Sequence, residues 1–149
     1  MHFIRKCKKE KPKCIFCHKP KSKSFKKDYV LEVAKYCFVV LNLYPYNNGH
    51  LMIAPLRHIS NLTDLKKEES AELFGLLQKW EKILTKTLTP HAFNIGANIG
   101  RPAGAGFEHL HFHIVPRWNG DSNFMPVVAG TKILNMSLDA LYDLLKKNM

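Results

Sequence analysis

The 149-residue chain has no apolar run near the roughly 20 residues needed to span a bilayer. Its start, Met1 to Pro12, has basic residues with no apolar stretch after them, so no secretory signal is expected. Acidic residues are scarce, 12 Asp and Glu against 23 Lys and Arg. The four cysteines could make two disulfides, but nothing indicates export, so a disulfide framework is not expected. A soluble, cytoplasmic setting with reduced thiols is the expectation. No G-x-x-x-x-G-K-S/T run occurs, which argues against a P-loop kinase. No Ser-His-Asp arrangement of known spacing occurs either.

What is present is 46% hydrophobic and rich in Phe and Tyr, sized for one core. The net charge of +11 is unevenly placed. Residues 1–28 hold eleven Lys and Arg against Glu10 and Asp28. The excess is therefore a property of the N-terminal stretch, read first as a solvated lysine tail. It is also the one feature that would offer a landing site to RNA or another polyanion. The chain divides into a basic tail (1–13), a core (14–128) and a C-terminal extension (129–149).

Tyr29–Ala34, Tyr36–Leu41 and His50–Ala54 are rich in β-branched and apolar residues and predict three strands. Asn42 to Gly49 is a turn-rich connection. Leu73, Phe74, Leu76, Leu77, Trp80, Ile83, Leu84 and Leu88 recur at helical spacing and predict a long helix from about Lys66 to Leu88. Thr63 or Asp64 would cap its start and Pro90 would close it. Ala92–Ala97 and Phe107–Val115 predict two further strands, and Leu138–Lys147 a short amphipathic helix. Strands in succession, interrupted by one long helix, indicate an antiparallel α+β sheet.

The residues able to carry chemistry cluster late in the chain. His109, His111 and His113 alternate with Leu110, Phe112 and Ile114. In a strand, alternate residues share one face about 6.6 Å apart. Three imidazoles would then line one side, available as nucleophile, proton carrier or metal ligand. Just upstream, Gly104-Ala105-Gly106 has no side chain larger than methyl, so its backbone N–H groups could approach an anion. Cys14 and Cys17 form a C-x-x-C pair that could complete a tetrahedral zinc site with two distant histidines, although spacing alone does not choose them. Cys37, within an apolar strand, reads as a buried small residue, and Asp139 and Asp143 as solvated acids.

The run from His109 to Val115 resembles the defining pattern of the histidine triad (HIT) family. The resemblance extends to Gly49 through Pro55, to Arg57-His58, and to the loop from Asn98 to Gly106. The stretch Pro116 to Pro126 is similar to the bacterial branch resembling diadenosine tetraphosphate phosphorylases. Membership implies a sheet of about five antiparallel strands with a long helix, paired into a homodimer. It implies a two-step reaction in which His111 attacks the α-phosphorus of a nucleotide. His113 and His50 match the histidines that contact phosphate and support the nucleophile. Asn42 matches a ribose contact and Asn98 an amide that orients phosphate or leaving group. It further implies Cys14, Cys17, His58 and His109 as ligands of a structural zinc ion. Gly106 stands where many members carry Ser or Thr, so a hydroxyl that could assist the leaving group is missing.

Dinucleoside polyphosphates of the diadenosine tetraphosphate (Ap4A) type are the leading substrates, with Trp118 as a stacking surface for adenine. The alternatives are a nucleoside phosphoramidase releasing AMP, and a non-catalytic nucleotide- or RNA-binding module.

Overall fold

The computed structural model describes residues 14–121 and 134–149. The basic tail 1–13 and the 128/129 boundary expected from sequence lie outside them, as does the stretch Ser122 to Pro126. Five strands form one antiparallel sheet: β1 (Val30–Val33), β2 (Cys37–Leu41), β3 (Leu51–Pro55), β4 (Ala92–Gly96) and β5 (Phe112–Arg117). Their spatial order is β1-β2-β3-β5-β4. Helices α1 (Ile15–His18), α2 (Phe25–Asp28), α3 (Lys67–Leu88) and α4 (Leu138–Lys147) complete the described fold. The expected α+β antiparallel sheet, long helix and short C-terminal helix are all present.

The two faces of the sheet have different partners. On one, Leu31, Val39, Leu41, Leu51, Ile53 and Ile114 pack against Leu73, Leu77, Trp80 and Leu84 of α3 and Leu141 and Leu145 of α4. Alternation along each strand turns Val30, Phe38, Val40, Met52 and Ala54 to the other face, where Phe16 of α1 covers them. Polar pins close the helix side. Glu72 of α3 accepts from the backbone N–H groups of Lys35, Tyr36 and Cys37, satisfying the β1–β2 turn. Trp80 is fully buried and its indole N–H donates to Glu32 at 2.9 Å. Cys37 is buried as expected, and desolvation pushes its thiol up to about 12.

Two local expectations change. Neither Thr63 nor Asp64 caps α3, because Leu62–Asp64 forms a separate 3-10 turn. Glu69 does the work instead: its carboxylate accepts from the Lys66 N–H at 2.8 Å while gripped by both nitrogens of an Arg57 fork. That ion pair holds the Glu69 carboxyl down at about 2. The last strand begins at Phe112 and not at Phe107. Leu110 N–H donates to Ile59 O at 2.6 Å, outside the sheet, so residues 107–111 leave the ladder before it starts.

Candidate active site and metal centre

The early departure from the sheet splits the three histidines between two tasks. His109 turns toward α1. Its Nδ1 lies 3.3 Å from Cys14 Sγ and 3.6 Å from Cys17 Sγ, and His58 Nδ1 is 3.3 Å from Cys17 Sγ. The four ligand atoms lie within 4.8 Å of one another. A tetrahedral ion with metal–sulfur bonds near 2.3 Å and metal–nitrogen bonds near 2.0–2.1 Å requires S···N edges of about 3.6 Å. The donor set therefore fits a metal ion. His109 Nε2 is 2.9 Å from Pro55 O, and a carbonyl only accepts, so Nε2 carries the proton and Nδ1 presents its lone pair to the sulfurs.

His111 and His113 face a second site, with His50 from the end of the β2–β3 connection. His111 Nδ1 donates to His109 O at 2.7 Å, which leaves Nε2 as the unprotonated nitrogen. One face of its ring lies against Phe16, with centroids 4.6 Å apart and planes 22° apart; its other neighbour is His113 at 4.9 Å. Tyr46 N–H donates to His50 Nδ1 at 3.0 Å. His50 Nε2 must then hold the proton, which it donates to His113 Nδ1 at 2.8 Å. His113 Nε2 is consequently an N–H donor. Its neighbour in the row thus offers a lone pair while it offers a proton.

Burial keeps these rings neutral. Desolvation drives His50 down to about 3 and His113 to about 4, with the charge of neighbouring imidazoles pushing the same way. Desolvation also lowers His111, against the opposing effect of its bond to His109 O. Neutral imidazole is the form that has a free lone pair.

The other sequence-derived positions are distributed around this centre. The Asn42 amide lies 3.4 Å from both His50 nitrogens, and its Oδ1 accepts from Tyr44 N–H. Asn98 packs under the glycine loop, its Nδ2 3.6 Å from where a Cβ on Gly104 would stand. The loop itself departs from expectation. Gly104 N–H donates to Arg101 O and Ala105 N–H to Gly100 O, so the 3-10 turn at Arg101–Ala103 uses two of the three donors expected to face an anion. Trp118 directly follows β5, five residues along the chain from His113, and its backbone N–H donates to Asp121 Oδ2 at 3.2 Å.

Sequence reading passed over Phe16, Tyr46 and Pro55. Phe16 had a signal, an aromatic inside the C-x-x-C pair. Tyr46 and Pro55 contribute backbone groups, to which residue type gives no clue.

A five-stranded antiparallel sheet with one long helix, a Cys-x-x-Cys segment folded against the residues leading into the last strand and a row of neutral histidines defines a class of small α+β proteins built around clustered imidazoles. The chain belongs to the HIT family: the model of the HIT domain matches residues 22–120. It is 48% identical over 106 residues to the AP-4-A phosphorylase of Mycobacterium tuberculosis, covering 70% of this chain and 54% of that protein. The chain thus spans about half the length of that relative. Among solved structures, a hypothetical histidine triad nucleotide-binding protein of Sulfolobus tokodaii superposes with a TM-score of 0.71 at 26% identity, covering 90% of this chain and 87% of that one. A Zn-bound histidine triad family protein of Mycobacterium smegmatis shares the fold with a TM-score of 0.74 at 23% identity, over 91% and 92% of the two chains.

Proposed function

We propose that this chain is a nucleotidyl hydrolase or transferase acting on dinucleoside polyphosphates of the Ap4A type. The observation that carries the reading is the complementary protonation of adjacent rings: a lone pair on His111 Nε2 beside a donor on His113 Nε2. His111 Nε2 attacks the α-phosphorus, an N–P bond forms, and the P–O bond to the rest of the polyphosphate breaks. The imidazole gains positive charge in that step, and its Nδ1–H bond to His109 O strengthens as it does. Water or inorganic phosphate then displaces the ring, returning it to the neutral state. In this reading His113 Nε2–H and the Gly106 N–H donate to phosphoryl oxygens, with His50 supporting His113. Asn42 takes the ribose and Asn98 orients the phosphate or leaving group. Trp118 is read as a stacking surface for an adenine of the dinucleotide. The homology to an AP-4-A phosphorylase supports the substrate class.

Zinc is the ion proposed for Cys14, Cys17, His58 and His109, supported by their thiolate and imidazole chemistry and near-tetrahedral edges. It would serve as a structural tie between the N-terminal segment and the chain leading into β5. A homodimer is supported by β4, which lies at the sheet edge with Ile95 45% exposed. Three unpaired thiols among the described residues suit a reducing cytoplasm. The chain is read as a basic tail (1–13), a core (14–128) and an extension (129–149), the tail being a solvated lysine segment in preference to an RNA contact.

The test is turnover of Ap4A with and without phosphate, for wild type beside His111→Ala. ADP plus ATP formed only with phosphate identifies phosphorolysis, and AMP plus ATP identifies hydrolysis. His111→Ala is expected to lose at least a thousandfold in turnover and to form no nucleotidyl adduct in mass spectrometry. Full activity in that variant refutes the assignment.

A further inference from the structure

The hydrogen-bond chain that sets the protons of His50 and His113 does not end at Tyr46. Tyr46 is exposed, yet its N–H must be aimed at His50 Nδ1 for the tautomers to fall as they do. What aims it is the next residue. Asn47 is 7% exposed, and its side-chain amide donates to Pro116 O at 3.1 Å and to Asp121 Oδ2 at 2.5 Å. Its backbone carbonyl accepts from His50 N–H at 3.2 Å, closing the turn around the histidine. Asp121 in turn is fixed from several sides: Arg117 grips both carboxylate oxygens at 2.9 Å, and Trp118 N–H reaches Oδ2 at 3.2 Å. Arg117 also donates to Asn94 Oδ1 on β4 at 2.8 Å.

We infer that Asn47 and Asp121 are positioning residues, holding the Asn42–Gly49 loop so that Tyr46 N–H fixes the His50 tautomer and thereby leaves His113 Nε2 protonated toward the substrate. The direction of the chain follows from chemistry. A backbone N–H can only donate, so His50 Nδ1 must accept, its Nε2 must donate, and His113 Nδ1 must accept. Release the loop and His50 is free to take the other tautomer. Its Nε2 would then accept from His113 Nδ1–H, and His113 Nε2 would present a lone pair to an anionic oxygen, the wrong sign for the task. Asn47 and Asp121 touch neither the substrate nor the reacting nitrogens; they act through Tyr46 and His50. The arrangement also gives the residues just past β5 a function, by linking that end of the strand to the proton inventory of the site.

The inference rests on the nucleotidyl-transfer reading for its kinetic consequence, but the tautomer pattern is measurable without substrate. The experiment records long-range ¹H–¹⁵N imidazole correlations for wild type, Asn47→Ala and Asp121→Asn, together with kcat and KM on Ap4A. Wild type should show His50 protonated at Nε2 and His113 at Nε2. Both variants should show mixed tautomers at the two rings, with kcat lowered about tenfold and KM changed less than about threefold. A folded variant that keeps the wild-type tautomers, or one with mixed tautomers and undiminished kcat, overturns the inference. Where Asn47→Ala does not fold, Asp121→Asn decides, since it preserves shape while removing the charge and turning one of the two acceptor oxygens that hold Asn47 and Arg117 into an N–H donor. A wild type that turns over no nucleotide refutes the assigned activity, and the imidazole spectra then decide the positioning role alone.

Discussion

Gly49 sits between the positioning turn and His50, and Gly49→Ala provides a quantitative test of how tightly that turn is packed. Its φ is +78°, in the region that costs a residue with a Cβ about 1–2 kcal/mol. An added Cβ would also stand 2.6 Å from Leu88 Cδ1, 3.0 Å from Pro116 Cγ and 3.3 Å from Leu84 Cδ2. The Leu88 methyl can swing aside, since that side chain is only partly buried, but the Pro116 ring is held within β5. Displacement adds about 1 kcal/mol to the backbone strain. The expected loss is therefore about 2–3 kcal/mol, which lowers Tm by about 5–10 °C in a domain of this size. Gly75→Ala is the control. Gly75 lies on the exposed side of α3 with nothing within 4 Å of its absent Cβ, so alanine there should raise Tm through helix propensity alone, by about 1 kcal/mol. Calorimetric or dichroism melts of the two variants and wild type make the comparison. A Gly49→Ala protein melting within about 1 °C of wild type would refute the packing argument.

Stability should fall on acidification below pH 6.5. There the unfolded chain protonates histidine while native His50, held down near 3, does not, so about 1.4 kcal/mol is lost per pH unit, with His113 adding in the same direction down to about 4. Urea midpoints between pH 7.5 and 5 should show this slope, and His50→Gln should flatten it; an equal slope in that variant would count against burial of the neutral ring. Cys17→Ser should reduce bound zinc from about one equivalent to near none and lower Tm by about 8–16 °C, as expected for a site saturated about a thousandfold above its Kd. Elemental analysis checks the first and melting the second, and a stable Cys17→Ser protein with full zinc would refute the ligand set.

The split between His109 and its two neighbours gives the site its organisation. The same short segment supplies a ligand to the Cys-His cluster and a carbonyl to the His111 Nδ1–H. Phe16, inside the C-x-x-C pair, lies flat on the His111 ring. The Cys-His cluster and the His111–His113 row are thus built on shared backbone, and α1 is packed against both. This explains why a four-residue helix, far too short to be stable alone, is found on the open face of the sheet.

Much of this was legible in one dimension because it depends on period and residue type. The 3.6-residue spacing from Leu73 to Leu88 specified α3 and the β-branched runs specified β1 to β3, whereas the alternation that set His109, His111 and His113 on one strand face fails before Phe112, and only His111 and His113 remain ring neighbours. Side-chain chemistry likewise marked Cys14 and Cys17 as candidate ligands. Period could not show where β5 starts, because that depends on Leu110 bonding to Ile59 and His109 to Pro55, contacts between distant segments. Nor could it show which nitrogen of each histidine holds a proton. That property is decided by backbone donors and acceptors at Tyr46, His109 and Pro55, whose positions exist only once the chain is folded, and on it the proposed chemistry turns.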